Sequence, residues 1–211
     1  MGKVVTSESS VRVFENPVLE RLSRVHPALP ICVWAPVAVA LVWAGLRGDL
    51  PAATVAGLFL AGLFSWTLAE YALHRWIFHW QPRGERLRKL WYPVHELHHD
   101  VQEWDRLVAP PLMSVPLFVA FFLLFRLLLG SPQSYPFLGG FVVGYLAYDY
   151  VHLYTHFGKP GTRIGKGLRR RHLQHHFAWH DRWYGISSPL WDHVFRTHVR
   201  AGERPVRNHL G

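Results

Sequence analysis

Four stretches of this chain carry no charged residue for long enough to cross a lipid bilayer, and that limits the fold before anything else does. They are residues 29–46, 51–69, 109–125 and 131–148, which are eighteen, nineteen, seventeen and eighteen residues long. The third continues through Arg126 to Gly130. At about 1.5 Å of rise per residue, each makes roughly 25–30 Å of helix, close to the hydrocarbon thickness. A soluble chain of 211 residues has too little polar surface to cover four such helices. The expected fold is therefore an all-α integral membrane protein. Its four transmembrane helices, near 29–46, 51–73, 109–130 and 131–156, pair into two hairpins through the short links at 46–50 and 130–134. A helical, His-rich cap completes it, and the helical spacing of the cap motifs argues against a β-rich one. The sequence then divides into an N-terminal tail (1–28), one domain (29–198) and a C-terminal tail (199–211).

The cationic residues orient the bundle. Four Lys and Arg precede the first span, six lie between the second and third, and eleven follow the fourth, which leaves only Arg47 and Arg126 on the opposite side. Positive residues face the cytoplasm, so the cap is expected there, in a bacterial inner membrane or the endoplasmic reticulum. The formal charge of +9 then reflects topology and lipid contact. No helix-turn-helix or other nucleic-acid motif accompanies it, so no nucleic-acid partner is expected. The first 28 residues hold no apolar run of signal-peptide type. Cys32 is the single cysteine, which excludes a disulfide framework and a cysteine zinc site. Gly140 and Gly144 form a GxxxG, the signature of close helix packing.

All fifteen histidines fall on the expected cytoplasmic side. Ten form four groups: His74 and His79; His95, His98 and His99; His152 and His156; His172, His175 and His176. Residues at i, i+3 and i+4 share a helix face, so each HxxHH is expected to present three imidazoles to one spot. Residues five apart diverge by about 140° on an α-helix; His74 and His79 converge only if the helix ends or bends between them. Ten imidazoles exceed the needs of one ion, since zinc takes about four ligands, whereas two ions with four or five each fit the count. Two adjacent redox metals suit oxygen activation. His180 is read either as an outer neighbour of this cluster or as a loop residue. His26, His193, His198 and His209 are read as surface or substrate-mouth residues. Glu70 precedes His74 by four residues and Asp149 precedes His152 by three, so each carboxylate can bond the far nitrogen of its histidine and orient the ring. The alternative is a carboxylate at the membrane interface paired with an arginine.

In these residues the chain resembles the fatty acid hydroxylase superfamily of membrane His-rich di-iron enzymes, and most closely its fatty acid 2-hydroxylase branch. The stretches that carry the resemblance are EYALHRWIFH (70–79), HELHHD (95–100), RLVAPP (106–111), GYLAYDYVHLYTHFG (144–158), HLQHHF (172–177) and YGISSPLWDHVFRT (184–197). It covers about 52–198, and the ordered set is specific where a single HxxHH is not. The resemblance implies that the ten histidines bind two iron ions, that O2 is reductively activated, and that one oxygen atom enters a lipid C–H bond. In this branch that bond is at C2 of a fatty acid or of a ceramide N-acyl chain. It also implies that 184–192, with Tyr184, Gly185, Trp191 and Asp192, closes over the site at the substrate mouth. Many eukaryotic members carry a cytochrome b5 domain with His-Pro-Gly-Gly, whereas here His26-Pro27 continues as Ala-Leu. Electrons are therefore expected from a separate donor such as cytochrome b5, a ferredoxin or a reductase. All-imidazole sites also bind zinc, which purified protein can hold in place of iron. The alternatives are a sterol or carotenoid hydroxylase or desaturase of the same superfamily, and a non-catalytic metal-binding or metal-transport membrane protein. Transporters place their ligands near the bilayer midplane, unlike these histidines.

Overall fold

A computed structural model describes residues 12–100, 102–200 and 202–203, and every regular element among them is helical. The outer parts of both expected tails, 1–11 and 204–211 with His209, lie outside the described residues. Three helical segments are long and apolar enough to cross a membrane: Ala28–Arg47, Ala52–Phe78 and Trp104–Leu129. The first is α2 (Ala28–Arg47); the second is α3 (Ala52–Ala72) running into a π-helical turn, Leu73–Phe78; the third contains α6 (Pro111–Leu129). Their outward side chains are apolar, as with Leu60, Leu123 and Leu127 at 61, 62 and 83% exposure, a surface suited to lipid. The fourth expected span is also a helix, α7 (Ser134–Phe157), of 24 residues. It falls outside that set because its second half carries Asp149, His152 and His156 among four tyrosines, Tyr145, Tyr148, Tyr150 and Tyr154.

The described residues fall into two compact units, one within 1–66 and 100–150, the other within 67–99 and 151–211. The first unit is the apolar bundle. Trp34, Ala38, Leu41, Leu138 and Val142 form its core. Helices α3 and α7 touch backbone to backbone: a Cβ on Gly62 would collide with the Phe137 carbonyl, and one on Gly140 with the Phe59 carbonyl. Gly144 makes room for the Trp66 ring, so both glycines of the GxxxG serve packing, as their spacing suggests.

The N-terminal segment is more structured than a tail. Asn16 accepts hydrogen bonds from Val18 and Leu19 N–H and caps α1 (Pro17–Leu22). Glu20 then pairs with Arg24 and Arg106. Arg24 reaches Glu103 at 3.1 Å and Asp105 at 3.0 Å, and Arg106 meets Glu103 at 2.8 Å with both side chains 5% exposed. Buried charges persist only when paired in this way. The arginine of RLVAPP thus ties the segment before α6 to α1.

The second unit holds the π-helical turn, α4 (Glu85–Trp91), α5 (Glu96–Asp100) except its last residue, α8 (Arg163–Phe177) and α9 (Leu190–Val194). All ten grouped histidines lie in it.

Candidate metal centre

Each histidine pair is set by a local helical device. At the end of α3 the ladder widens: His79 N–H donates to the His74 carbonyl at 3.2 Å, an i to i+5 bond. That stacks residue 79 over residue 74 and brings their Nε2 atoms to 3.3 Å, which an α-helix would forbid. The bend required by this spacing is thus a π-turn, a distortion common at functional sites. His152 and His156 are one turn apart on α7. His95 enters α5 just ahead of His98 and His99, and α8 presents His172, His175 and His176, all three buried.

The structure corrects the expectation that each HxxHH serves one spot. Two sets of five emerge: His74, His79, His95, His99 and His175; and His98, His152, His156, His172 and His176. Within each set the ligand nitrogens lie within 4.8 Å of one another. In both motifs the i and i+4 residues stay together and the i+3 residue crosses to the other set. On a helix i and i+4 differ by about 40°, while i+3 lies about 100° from i+4; a helix standing between two sites therefore feeds both. Each set has the same plan: a pair from a long helix, an i, i+4 pair from one HxxHH, and one histidine from the other. The sets touch, with the His99 and His176 rings stacked at 4.2 Å.

The nitrogens have the spacing of ligand atoms. Nε2 of His95 is 3.0 Å from those of His74 and His99, and His79 is 3.0 Å from His175. In the second set His98 and His152 are 2.9 Å apart, and His156 and His172 are 2.6 Å apart. Ligand atoms at right angles are separated by the square root of two times the bond length, so a 3.0 Å edge corresponds to about 2.1 Å, an ordinary metal–imidazole distance. His176, 3% exposed, has neither ring nitrogen hydrogen-bonded; burial of this kind is costly unless a cation takes up the lone pair. Burial, with neighbouring imidazoles adding, holds His95, His98, His99, His172 and His176 far below the usual imidazole range. Burial likewise pulls His79 down to about 4 and His175 to about 3. Burial thus favours the neutral ring, the state a metal ligand must have.

The outer partners differ from those expected. His74 Nδ1 bonds the Tyr184 carbonyl at 2.6 Å, and His175 Nδ1 bonds the Arg182 carbonyl at 2.6 Å. Neither nitrogen of His74 is left for Glu70. The Glu70 carboxylate, 2% exposed, instead accepts Ile186 N–H (2.8 Å), Ser187 N–H (2.7 Å) and the Ser187 hydroxyl (2.6 Å). It therefore acts on His74 at one remove, by pinning the loop whose carbonyl orients the ring. Asp149 accepts the Tyr145 hydroxyl at 3.0 Å and Ala109 N–H at 3.4 Å within the first unit. His180 is exposed and lies at the rim, its ring 5.6 Å from His99.

The stretch 184–192 is tied into the fold by its own hydrogen bonds. Asp192, 0% exposed, accepts Tyr184 N–H (2.9 Å), Gly185 N–H (2.8 Å) and the Thr197 hydroxyl (2.7 Å). A Cβ on Gly185 would collide with the Ser188 carbonyl. Trp191 donates to Thr67 Oγ1 at 2.9 Å. Only the Tyr184 ring faces the histidines, 5.5–5.6 Å from those of His74, His79 and His175. Sequence reasoning missed the carbonyls of Arg182 and Tyr184 and the role of Ser187, since a backbone acceptor leaves no mark in residue type. His26 is exposed against Trp104, and the His193 ring lies tilted beside that of His198 at 4.5 Å; none of the three joins a set.

Comparison with known proteins fits this centre. A family model described as fatty acid hydroxylase matches residues 59–197. The dihydroceramide fatty acyl 2-hydroxylase FAH2 of Arabidopsis thaliana is 37% identical over 88% of this chain and 79% of the relative. The fatty acid 2-hydroxylase of Homo sapiens is 33% identical over 89% of this chain, which spans only 56% of that relative. A solved structure of full-length scs7p, in which only the hydroxylase domain is visible, superimposes with a TM-score of 0.86. It is 31% identical, and the match covers 92% of this chain and 74% of that one.

Proposed function

Because the chain belongs to the fatty acid hydroxylase family, we propose that it is a membrane lipid hydroxylase that inserts one oxygen atom of O2 at C2 of a fatty acyl chain, free or N-linked in ceramide. The observation that carries this reading is the division of ten imidazoles into two touching sets of five. The sets would hold two iron ions, His74, His79, His95, His99 and His175 around one and His98, His152, His156, His172 and His176 around the other. Two adjacent irons supply the reductive activation of O2 needed to attack an unactivated C–H bond. Five imidazoles leave one place open on a six-coordinate ion, as a catalytic site requires.

The protein's own groups supply orientation. Nδ1–H of His74 donates to the Tyr184 carbonyl and that of His175 to the Arg182 carbonyl, so each Nε2 lone pair points inward and its basicity rises. Glu70 and Asp192 hold the loop that carries Tyr184. In this reading α7 is the fourth span, residues 29–198 form the hydroxylase domain, and the histidines lie on the cytoplasmic side, where 21 of 23 cationic residues are expected. A separate donor delivers two electrons per turnover. The relatives named above are named for fatty acyl substrates, which favours an acyl chain over a sterol or carotenoid ring.

The test is lipid mass spectrometry of cells with and without the gene, paired with elemental analysis of the purified active enzyme. The reading expects 2-hydroxyacyl lipids, one oxygen heavier than their precursors, that vanish with the gene, and two iron ions per chain. Hydroxylation confined to ring lipids would overturn the substrate. Active enzyme with one metal ion would overturn the paired centre.

A further inference from the structure

A chain of oxidisable aromatic rings leads from the first histidine set to the surface. The Tyr184 ring stands among the imidazoles of His74, His79 and His175. Tyr71, fully buried, is its neighbour at 5.9 Å in an edge contact. Trp76 follows at 6.4 Å from Tyr71 and is 54% exposed. Phe195 stacks on Tyr71 at 5.1 Å and lies 6.3 Å from Trp76, closing the wedge between them. All these separations are within the range of touching aromatic rings.

Tyr71 is also equipped to lose a proton. Its hydroxyl is 3.0 Å from Thr197 Oγ1, and Thr197 donates to Asp192 Oδ1 at 2.7 Å. A threonine hydroxyl has one proton, and that proton is committed to the carboxylate, so Tyr71 is the donor in the first bond. Arg75 Nη1 donates to the Tyr71 oxygen from the other side at 2.9 Å. The result is a directed relay, phenol to hydroxyl to carboxylate. Burial raises Asp192 above the usual carboxylate range, which suits it to hold the arriving proton. The Asp192 end of the relay also braces the Tyr184 loop, but neither packing nor the orientation of His74 requires the Tyr71 hydroxyl; a phenylalanine at 71 would fill the same space.

We propose that Tyr184, Tyr71 and Trp76 form a hole-conducting chain that carries an oxidising equivalent from the first histidine set to the surface when no acyl chain is in place to receive it. The proposal rests on the hydroxylase reading, which supplies the oxidant. In the net first step Tyr71 gives one electron, through Tyr184, to the oxidising equivalent. Its phenolic proton passes to Thr197 as the Thr197 proton passes to Asp192. Trp76 then gives an electron to Tyr71, the protons return along the relay, and the Trp76 indole sheds its N–H proton to solvent. A thiol in solution restores Trp76 by giving up a hydrogen atom; two such events oxidise two thiols to one disulfide. The two electrons quench two oxidising equivalents that would otherwise attack the imidazoles.

Two measurements test the chain. In the first, reduced iron-loaded protein meets O2 without lipid or thiol, radicals are trapped by freeze-quenching for electron paramagnetic resonance, and oxidised residues are mapped by mass spectrometry. Oxidation is expected at Trp76 in the wild type and is lost in Tyr71→Phe, although Trp76 stays exposed. Trp76→Phe is expected to leave a tyrosyl signal that outlives the wild-type radical, and to raise oxidation of the histidines. Equal Trp76 oxidation in wild type and Tyr71→Phe would overturn the chain. The second needs no iron: a ruthenium photosensitiser attached at His180→Cys in a Cys32→Ser background oxidises from the rim of the histidine sets, and oxidation at Trp76 is mapped by mass spectrometry. That oxidation is expected to disappear in Tyr71→Phe, to disappear in Thr197→Val and to return in Thr197→Ser. Trp76 oxidation that persists in Tyr71→Phe would overturn the proposal. Failure of lipid hydroxylation in the wild type, with the photochemical result intact, would count against the hydroxylase reading alone.

Discussion

The two histidine sets share one ligand plan and differ in what stands behind it. In the first, backbone carbonyls of Tyr184 and Arg182 fix the rings of His74 and His175 at 2.6 Å each. The loop that offers the Tyr184 carbonyl is itself pinned by Glu70 and Asp192. In the second, Nδ1 of His172 and of His176 has no hydrogen-bond partner, as is also true of His99 in the first, and the rings of His156 and His176 lie beside Phe157 and Phe177. Ligand count and ligand orientation are thus separate properties: equal numbers of imidazoles stand on different outer partners. The second set, with two such rings, is the one expected to give up its ion more readily.

The largest expected effect comes from the residues that cross between sets. His98→Ala and His175→Ala each remove one of five proposed ligands and should lower lipid hydroxylation by more than about 100-fold, beyond the cost typical of losing an outer partner. Metal content and product formation, measured together, check this. Retention of both ions and near-normal activity in either variant would break the symmetry of the plan.

Next in size is the loop anchor. Glu70→Ala removes the acceptor for two backbone N–H groups and a hydroxyl, and should cost about 10–100-fold in metal retention or activity, as expected for an outer partner. Glu70→Gln keeps an oxygen for both N–H groups and an amide for Ser187, so its loss should be several times smaller than that of Glu70→Ala. A Gln variant as damaged as the Ala variant would show that charge, not loop position, is what matters.

A smaller effect separates the sets directly. Stepwise chelation of the loaded protein should strip the second ion first, by a margin of about tenfold in chelator concentration, the lower end of what oriented imidazoles contribute. Simultaneous loss would mean that the carbonyl bonds to His74 and His175 contribute little. The smallest effect is expected from Asp149→Asn. Its partners, Tyr145 and Ala109 N–H, belong to the bundle, so thermal stability should fall by about 1–2 kcal/mol while metal content stays at the wild-type level.

Much of this was legible in the residues, and the exceptions share a cause. Uncharged runs mark α2, α3 and α6, the helices apolar enough to cross a membrane, because a helix in lipid admits few charges, and the run at 131–148 marks the first part of α7. The histidine groups announce themselves by spacing. What spacing alone could not supply was the direction of the i+3 residue: His98 and His175 point about 100° away from their neighbours, and whether that angle matters depends on a second site existing there. Glu70 shares a helix face with His74, yet its carboxylate is taken by residues 116 and 117 positions away, a contact only the fold can create. The helix α1 carried a readable signal, Asn16 as cap with Pro17 behind it, hidden in a segment whose polar composition suggested a tail.

The central claim is that the middle histidine of each HxxHH belongs to the other set. An anomalous-difference map at the iron edge from crystals of iron-loaded His98→Ala tests it most directly. The account predicts that density is lost beside His152, His156, His172 and His176 and kept beside His74, His79, His95, His99 and His175. Loss of density beside His95 and His99, the sequence neighbours of the substituted residue, would contradict it.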